Sequence, residues 1–176
     1  MSSLASPERV WWKPLVREEK LWVTVALLWG LFMFAWMIIW PNIGKQEIPV
    51  ETYRVTVEDF SKLTAAFNAK YTVGTEKGMP VVRPPAGADV YLAGRIWQWS
   101  SILELKKGNT YRVHVSSEDL QHGFSLQPVN LNFQVLPGYD YVITLTPDKA
   151  GEYQIVCNEF CGIGHNLMIG KITVTE

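Results

Sequence analysis

The chain has 176 residues, 48% of them apolar, and a formal net charge of −1, with a mean hydropathy of +0.03. This balance excludes the basic field of a nucleic-acid binder and the acidic bias of a disordered tail. The average conceals a division, because residues 21–40, LWVTVALLWGLFMFAWMIIW, hold 18 apolar residues in 20 and no charge, and six of the eight Trp lie in the first forty residues. Twenty helical residues at about 1.5 Å each reach about 30 Å, the thickness of a bilayer's hydrocarbon core, so one transmembrane helix is expected here. Arg9, Lys13, Arg17 and Lys20 precede it, and Lys45 is the only cation close behind. By the positive-inside rule, residues 1–20 are a cytoplasmic segment and the large C-terminal part lies outside. A cleaved signal peptide is the competing reading, but its apolar stretch would run about 7 to 15 residues to a small-x-small site. This stretch is longer and ends in Ile-Ile-Trp-Pro. Trp22 and Trp40 bracket the span as an aromatic belt would, while Trp29 and Trp36 face lipid or another membrane helix.

Residues 41–88 read as a linker containing one short amphipathic helix over 56–71, where Val57, Phe60, Leu63, Phe67 and Tyr71 recur at helical spacing. Residues 74–88, rich in Gly and Pro, carry the linker reading most strongly. From 89 to 176 the pattern changes to short β-branched and aromatic runs, separated by turns such as Lys107-Gly108-Asn109 and Pro137-Gly138. Strands at this spacing with no helix between them indicate an all-β antiparallel sandwich or small barrel. In one run Tyr111, Val113 and Val115 alternate with Arg112 and His114, which puts His114 on the wet face. Residues 45–176 carry 12 basic and 14 acidic side chains, a bias too small to name a partner.

Both cysteines lie in Cys157-Asn158-Glu159-Phe160-Cys161-Gly162-Ile163-Gly164-His165-Asn166-Leu167-Met168, a loop between two strand runs. Gly162 and Gly164 permit the tight, φ-positive turns that would fold these side chains onto one point. His122 stands in a second loop, after Asp119-Leu120-Gln121. A disulfide is one reading of the two cysteines, and zinc held by two Cys and two His is another. Neither uses Met168. Thiolate, imidazole and thioether together form a soft set that suits copper, with Met as a weak outer ligand. Two thiolates could bridge two coppers, leaving one imidazole and one weak ligand for each.

With Asp119-Leu120-Gln121-His122-Gly123-Phe124 upstream, the motif resembles subunit II of haem-copper cytochrome c oxidase across the whole outer sandwich. The resemblance implies a cupredoxin-like Greek-key barrel over 89–176 that holds the binuclear copper centre called CuA, with no catalytic residue of its own. It implies that Cys157 and Cys161 bridge both coppers, that His122 and Met168 bind one, and that His165 and the main-chain carbonyl of Glu159 bind the other. The implied role is that of a one-electron relay. It would accept electrons from cytochrome c or a small copper protein and pass them to haem, which is held only in a partner, catalytic subunit I.

A single helix rather than two resembles the smaller B-family oxidases, and Glu18-Glu19-Lys20-Leu21-Trp22 is similar to the start of their subunit II. There an acid stands at the mouth of a proton channel, so Glu19 becomes a candidate for proton uptake, against the plainer reading of an acid favoured at a helix N-terminus. Trp97 and Trp99 resemble the family's aromatic strand near the copper. They are candidates for electron input, against ordinary core packing, and their spacing puts both on one face. The expected location is the plasma or inner membrane of a prokaryote, with the C-terminal domain periplasmic. A nitric oxide reductase subunit and a membrane-anchored copper chaperone are the competing functions. The chaperones, however, place their Cys pair early, between a strand and a helix.

Overall fold

The computed structural model describes residues 14–44, 49, 51–129 and 131–176. Arg9, Lys13 and Lys45, which orient the span above, lie outside the described residues, as do Trp11 and Trp12. The chain divides into two units, Met1–Lys45 and Gln46–Glu176.

In the first unit, α1 (Arg17–Ile43) is 27 residues long, about 40 Å at the helical rise, and extends about a turn beyond each end of the apolar run. None of its side chains is buried. Trp29, Phe32, Trp36 and Trp40 follow one another along the helix with successive ring centroids 5.4, 6.3 and 5.7 Å apart. By length and composition this helix can cross a membrane.

The second unit holds β1 (Glu51–Arg54), α2 (Val57–Tyr71), β2 (Thr72–Glu76), β3 (Met79–Val82), β4 (Asp89–Arg95), β5 (Gln98–Trp99), β6 (Ile102–Lys106), β7 (Tyr111–Ser117), β8 (His122–Gln127), β9 (Leu131–Val135), β10 (Tyr139–Leu145), β11 (Gly151–Val156) and β12 (Ile169–Thr175). They form a five-stranded sheet, β1-β10-β7-β4-β5, and a seven-stranded sheet, β2-β3-β6-β12-β11-β8-β9. Alternate residues point to opposite faces of a strand. Val90, Leu92, Val113, Val115 and Ile143 of one sheet thereby meet Leu103, Leu105, Phe124, Leu126, Ile155 and Ile172 of the other in a single core.

The sandwich expected from the sequence is present, although it is not purely antiparallel: β4 pairs with β7, β3 with β6, and β6 with β12 in parallel. The chain repeatedly crosses between sheets, so neighbours in a sheet are often not joined by a hairpin. Residues 74–88 are not a bare linker. Lys77 and Gly78, with φ of 50° and 81°, make the two-residue turn typical of a right-twisted hairpin between β2 and β3, and β3 continues the sheet beside β6. Gly78 marks that turn, Pro80 falls inside β3, and Pro84, Pro85 and Gly87 follow the strand.

The helix expected over 56–71 is α2, capped by Thr56, whose Oγ1 accepts the Asp59 N–H at 3.1 Å. It buries Phe60 and Phe67 against Tyr91 of β4. The structure corrects the reading of His114 as wet. Its ring stacks on Tyr91 at 4.7 Å, it is 7% exposed, and its Nδ1 lies 2.7 Å from Asp140. Strand alternation assigned the correct face, but Tyr91 and Asp140 on the neighbouring strands enclose the ring there.

Candidate metal centre

The loop from Cys157 to Met168 joins two neighbours in the seven-stranded sheet, β11 and β12, and His122 opens β8, the neighbour of β11 on its other side. Antiparallel pairing therefore brings both ends of the loop and His122 to the same end of the sandwich. The Cys157 N–H donates to the Met168 carbonyl at 3.2 Å, closing the loop at its base. A 3₁₀ turn over His165–Leu167 then folds back toward the cysteines.

One donor atom from each of His122, Cys157 and Cys161 lies within 4.8 Å of the others, and all three residues are buried. The two sulfurs are 3.7 Å apart and both cysteines are free. His122 Nδ1 lies 4.0 Å from Cys157 Sγ, and His165 Nδ1 lies 3.6 Å from Cys161 Sγ. Met168 Sδ is 4.0 Å from Cys161 Sγ, and the Glu159 carbonyl oxygen is 3.3 Å from Cys157 Sγ. Each sulfur thus has one imidazole and one weak donor beside it. Burial pushes the Cys161 thiol up to about 11, and its contact with Cys157 adds to the shift, so a metal arriving at neutral pH must displace a proton.

Asp119 orients the buried imidazole. Its Oδ1 lies 2.8 Å from His122 Nε2. A carboxylate can only accept, so Nε2 carries the proton and the Nδ1 lone pair is turned toward the sulfurs. Burial opposes the charge on Asp119, but the bonds from His122 and from the Ile96 and Leu120 N–H groups outweigh it and hold its carboxyl below the ordinary value. Two thiols, two imidazoles, a thioether and a carbonyl, largely buried and converging, are a donor set that fits copper.

The two tryptophans do not share a face, contrary to the expectation from their spacing. β5 is only two residues long, so Trp97 falls in the turn before it and strand alternation does not reach it. Trp97 is 38% exposed and its Nε1–H donates to the Cys161 carbonyl at 3.0 Å. Trp99 is 1% exposed and packs edge-on against Phe124. Its ring, His122 and Met168 crowd round Gly94, so it borders the site from the core side. Gly162 is φ-positive as expected, at +108°, but Gly164 has φ of −90°. Gly164 supplies room instead, since a Cβ there would run into the Trp97 indole. Glu19 lies in the other unit, in the first turn of α1, where its Oε2 accepts the Val16 N–H at 3.0 Å.

Sequence reasoning gave no role to Asp119, although its place three residues before His122 was the available signal. It also missed Asn132 and Gln134 of β9, which reach the loop only through the sheet's register.

Fold and site together define a cupredoxin-like domain with a soft, sulfur-rich metal centre. Rusticyanin from Thiobacillus ferrooxidans shares the fold, with a TM-score of 0.52 at 17% identity, over 71% of this chain and 97% of that one. A chain of a heme-copper terminal oxidase dimer superposes with a TM-score of 0.59 at 24% identity, covering 90% of this chain and 100% of that chain. Residues 94–175 match the family described as cytochrome c oxidase subunit II, periplasmic domain. Cytochrome c oxidase subunit 2 of Thermus thermophilus is 39% identical over 74 residues, 42% of this chain and 55% of that protein. The likeness to the cytochrome c oxidase subunit II family lies in the β-domain, over residues 94–175. The chain spans about half the length of the curated relatives it matches.

Proposed function

We propose that this chain is the electron-input subunit of a terminal respiratory oxidase, anchored in a prokaryotic plasma or inner membrane by α1 with the β-domain on the periplasmic side. In this reading Cys157, Cys161, His122, His165, Met168 and the Glu159 carbonyl hold a binuclear copper centre, CuA. The observation that carries it is the convergence of His122, Cys157 and Cys161 donors within 4.8 Å in a buried pocket, with imidazole, thioether and carbonyl groups on the same loop.

When bound, two coppers sharing thiolate ligands would supply a one-electron store whose geometry changes little on reduction. The chain's own residues fix the ligands and exclude water. Asp119 holds the His122 tautomer, and the base of the loop is tied by the Cys157–Met168 backbone bond. Trp97 suits electron input, being exposed on one side and hydrogen-bonded to the carbonyl of Cys161 on the other. Trp99, also a candidate, is enclosed and suits packing against the ligands. Electrons come from cytochrome c or a small copper protein and leave to haem in a separate catalytic subunit that reduces oxygen. Glu19 is proposed for proton uptake into that partner. Glu19→Gln keeps an acceptor for the Val16 N–H but not the charge, and unchanged proton uptake would remove the role.

The test loads the full chain, in detergent, with copper. Two coppers per chain and an electron-spin spectrum of one electron shared between two copper nuclei are expected, and both are lost in Cys157→Ser and in Cys161→Ser. One copper per chain with a single-nucleus spectrum, or native loading by the double Ser variant, would overturn the reading.

A further inference from the structure

Strands β8 and β9 form a hairpin at the edge of the seven-stranded sheet, with Gly123 opposite Gln134 and Ser125 opposite Asn132. Asn132 and Gln134 are two residues apart, so their side chains leave the same face of β9. Both reach the loop between the cysteines. The Asn158 amide donates to Asn132 Oδ1 at 3.1 Å, and the Gln134 amide donates to Glu159 Oε1 at 3.1 Å. From the other side Gln121 Nε2 approaches Glu159 Oε2 at 3.4 Å. Glu159 has no ion pair among the described residues, so amide donors alone hold its carboxylate.

The backbone does little to fix this stretch. Asn158, Glu159 and Phe160 make no backbone–backbone hydrogen bond among the described residues, yet the Glu159 carbonyl is a proposed ligand and must face inward. Gly123 lets the loop approach: a Cβ there would run into the Asn158 side chain and lie 2.8 and 2.9 Å from the Asn158 and Glu159 nitrogens. At the same place the Gly123 N–H points at Cys157 Sγ, 3.4 Å away. The loop therefore lies flat on the β8–β9 hairpin, held there by side chains of the edge strand.

We propose that Asn132 and Gln134 are positioning residues for the metal centre, clamping Asn158 and Glu159 so that the Glu159 carbonyl and Cys157 Sγ keep their geometry before and after a metal binds. Outer partners of this kind orient ligands and set how fast a metal leaves. The inference rests on the copper reading above.

The test uses the copper-loaded full chain and follows copper release to a chelator, the electron-spin spectrum and the reduction potential, with the melting temperature of the metal-free chain as a control on folding. Gln134→Met keeps the shape without the donor, and is expected to weaken copper retention roughly 10-fold or more and to alter the spectrum, at an unchanged melting temperature. Asn132→Ala gives a smaller shift in the same direction. Gln134→Glu sets two carboxylates face to face and releases copper faster than Gln134→Met. Adding Glu159→Gln to it restores a donor–acceptor pair with the roles exchanged, and brings retention back toward the native value. Native release and spectrum in Gln134→Met, or an exchanged pair no better than Gln134→Glu alone, would overturn the clamp while leaving the copper reading intact. Absence of copper uptake by the native chain would overturn both.

Discussion

Asp119 receives four hydrogen bonds: from His122 Nε2 at 2.8 Å, the Ile96 N–H at 2.7 Å, the Leu120 N–H at 2.6 Å and the Ser117 hydroxyl at 3.3 Å. It therefore connects a proposed ligand to the turn that carries Trp97. Its carboxyl is held below the ordinary value, so the stability it contributes is present above the unfolded-state pKa of about 3.9 and is lost as pH falls through the lower folded value. In the metal-free chain, Asp119→Asn should lower stability to denaturant at pH 7, and the gap to the native chain should narrow toward pH 3. A gap independent of pH would show that the charge contributes nothing. The tryptophans separate in the same way. Trp97→Phe removes the bond to the Cys161 carbonyl and part of an exposed ring, so donor oxidation should slow while the copper spectrum holds. Trp99→Ala removes a core ring and should cost about 3–5 kcal/mol in denaturant unfolding; a native donor rate in the first, or native stability in the second, would reverse these assignments. The candidate side-chain donors were legible in the sequence because four of them fall within twelve residues of one loop. The polar residues that orient them were not, because Asn132 and Gln134 meet the loop only through the pairing of β8 with β9.

At the level of elements, periodicity served where one face is buried by the element's own sheet and failed where a distant element covers the other. β7 alternates as its sequence does, yet His114 is enclosed by Tyr91 of β4 and Asp140 of β10, and no local pattern records that. The β2–β3 hairpin was hidden for the opposite reason, since its turn and edge-strand residues are the Gly and Pro that also make linkers. α2 is structural, covering the outer face of β4 at Tyr91. Phe67 links it to the core cluster, 5% exposed and in contact with Tyr71 and Tyr91. Phe67→Ala should cost about 3–5 kcal/mol. It should also open His114 to solvent, seen as faster exchange of its ring signals, with copper content unchanged because the metal centre lies at the end of the other sheet. Loss of copper in a variant that still folds would mean that α2 supports the centre directly.

The near-neutral average of the whole chain is the sum of two unlike units. One is a 27-residue helix with no buried side chain, and the other is a sandwich with its own core and a mild negative charge. The first was plain in the sequence because hydropathy alone defines it; the second because its strands alternate and its sulfur and imidazole groups cluster. Among the described residues, the core of the sandwich is built from its own unit, with Phe67, Val82, Trp99, Phe124 and Ile155 at its centre. The two units should therefore separate without damage. A chain beginning at Gln46 should stay in the aqueous phase on detergent phase separation, melt within a few degrees of the full chain and bind the same complement of copper, whereas the full chain should enter the detergent phase. A shortened chain that unfolds or fails to take up copper would show that α1 completes the domain and is more than its tether.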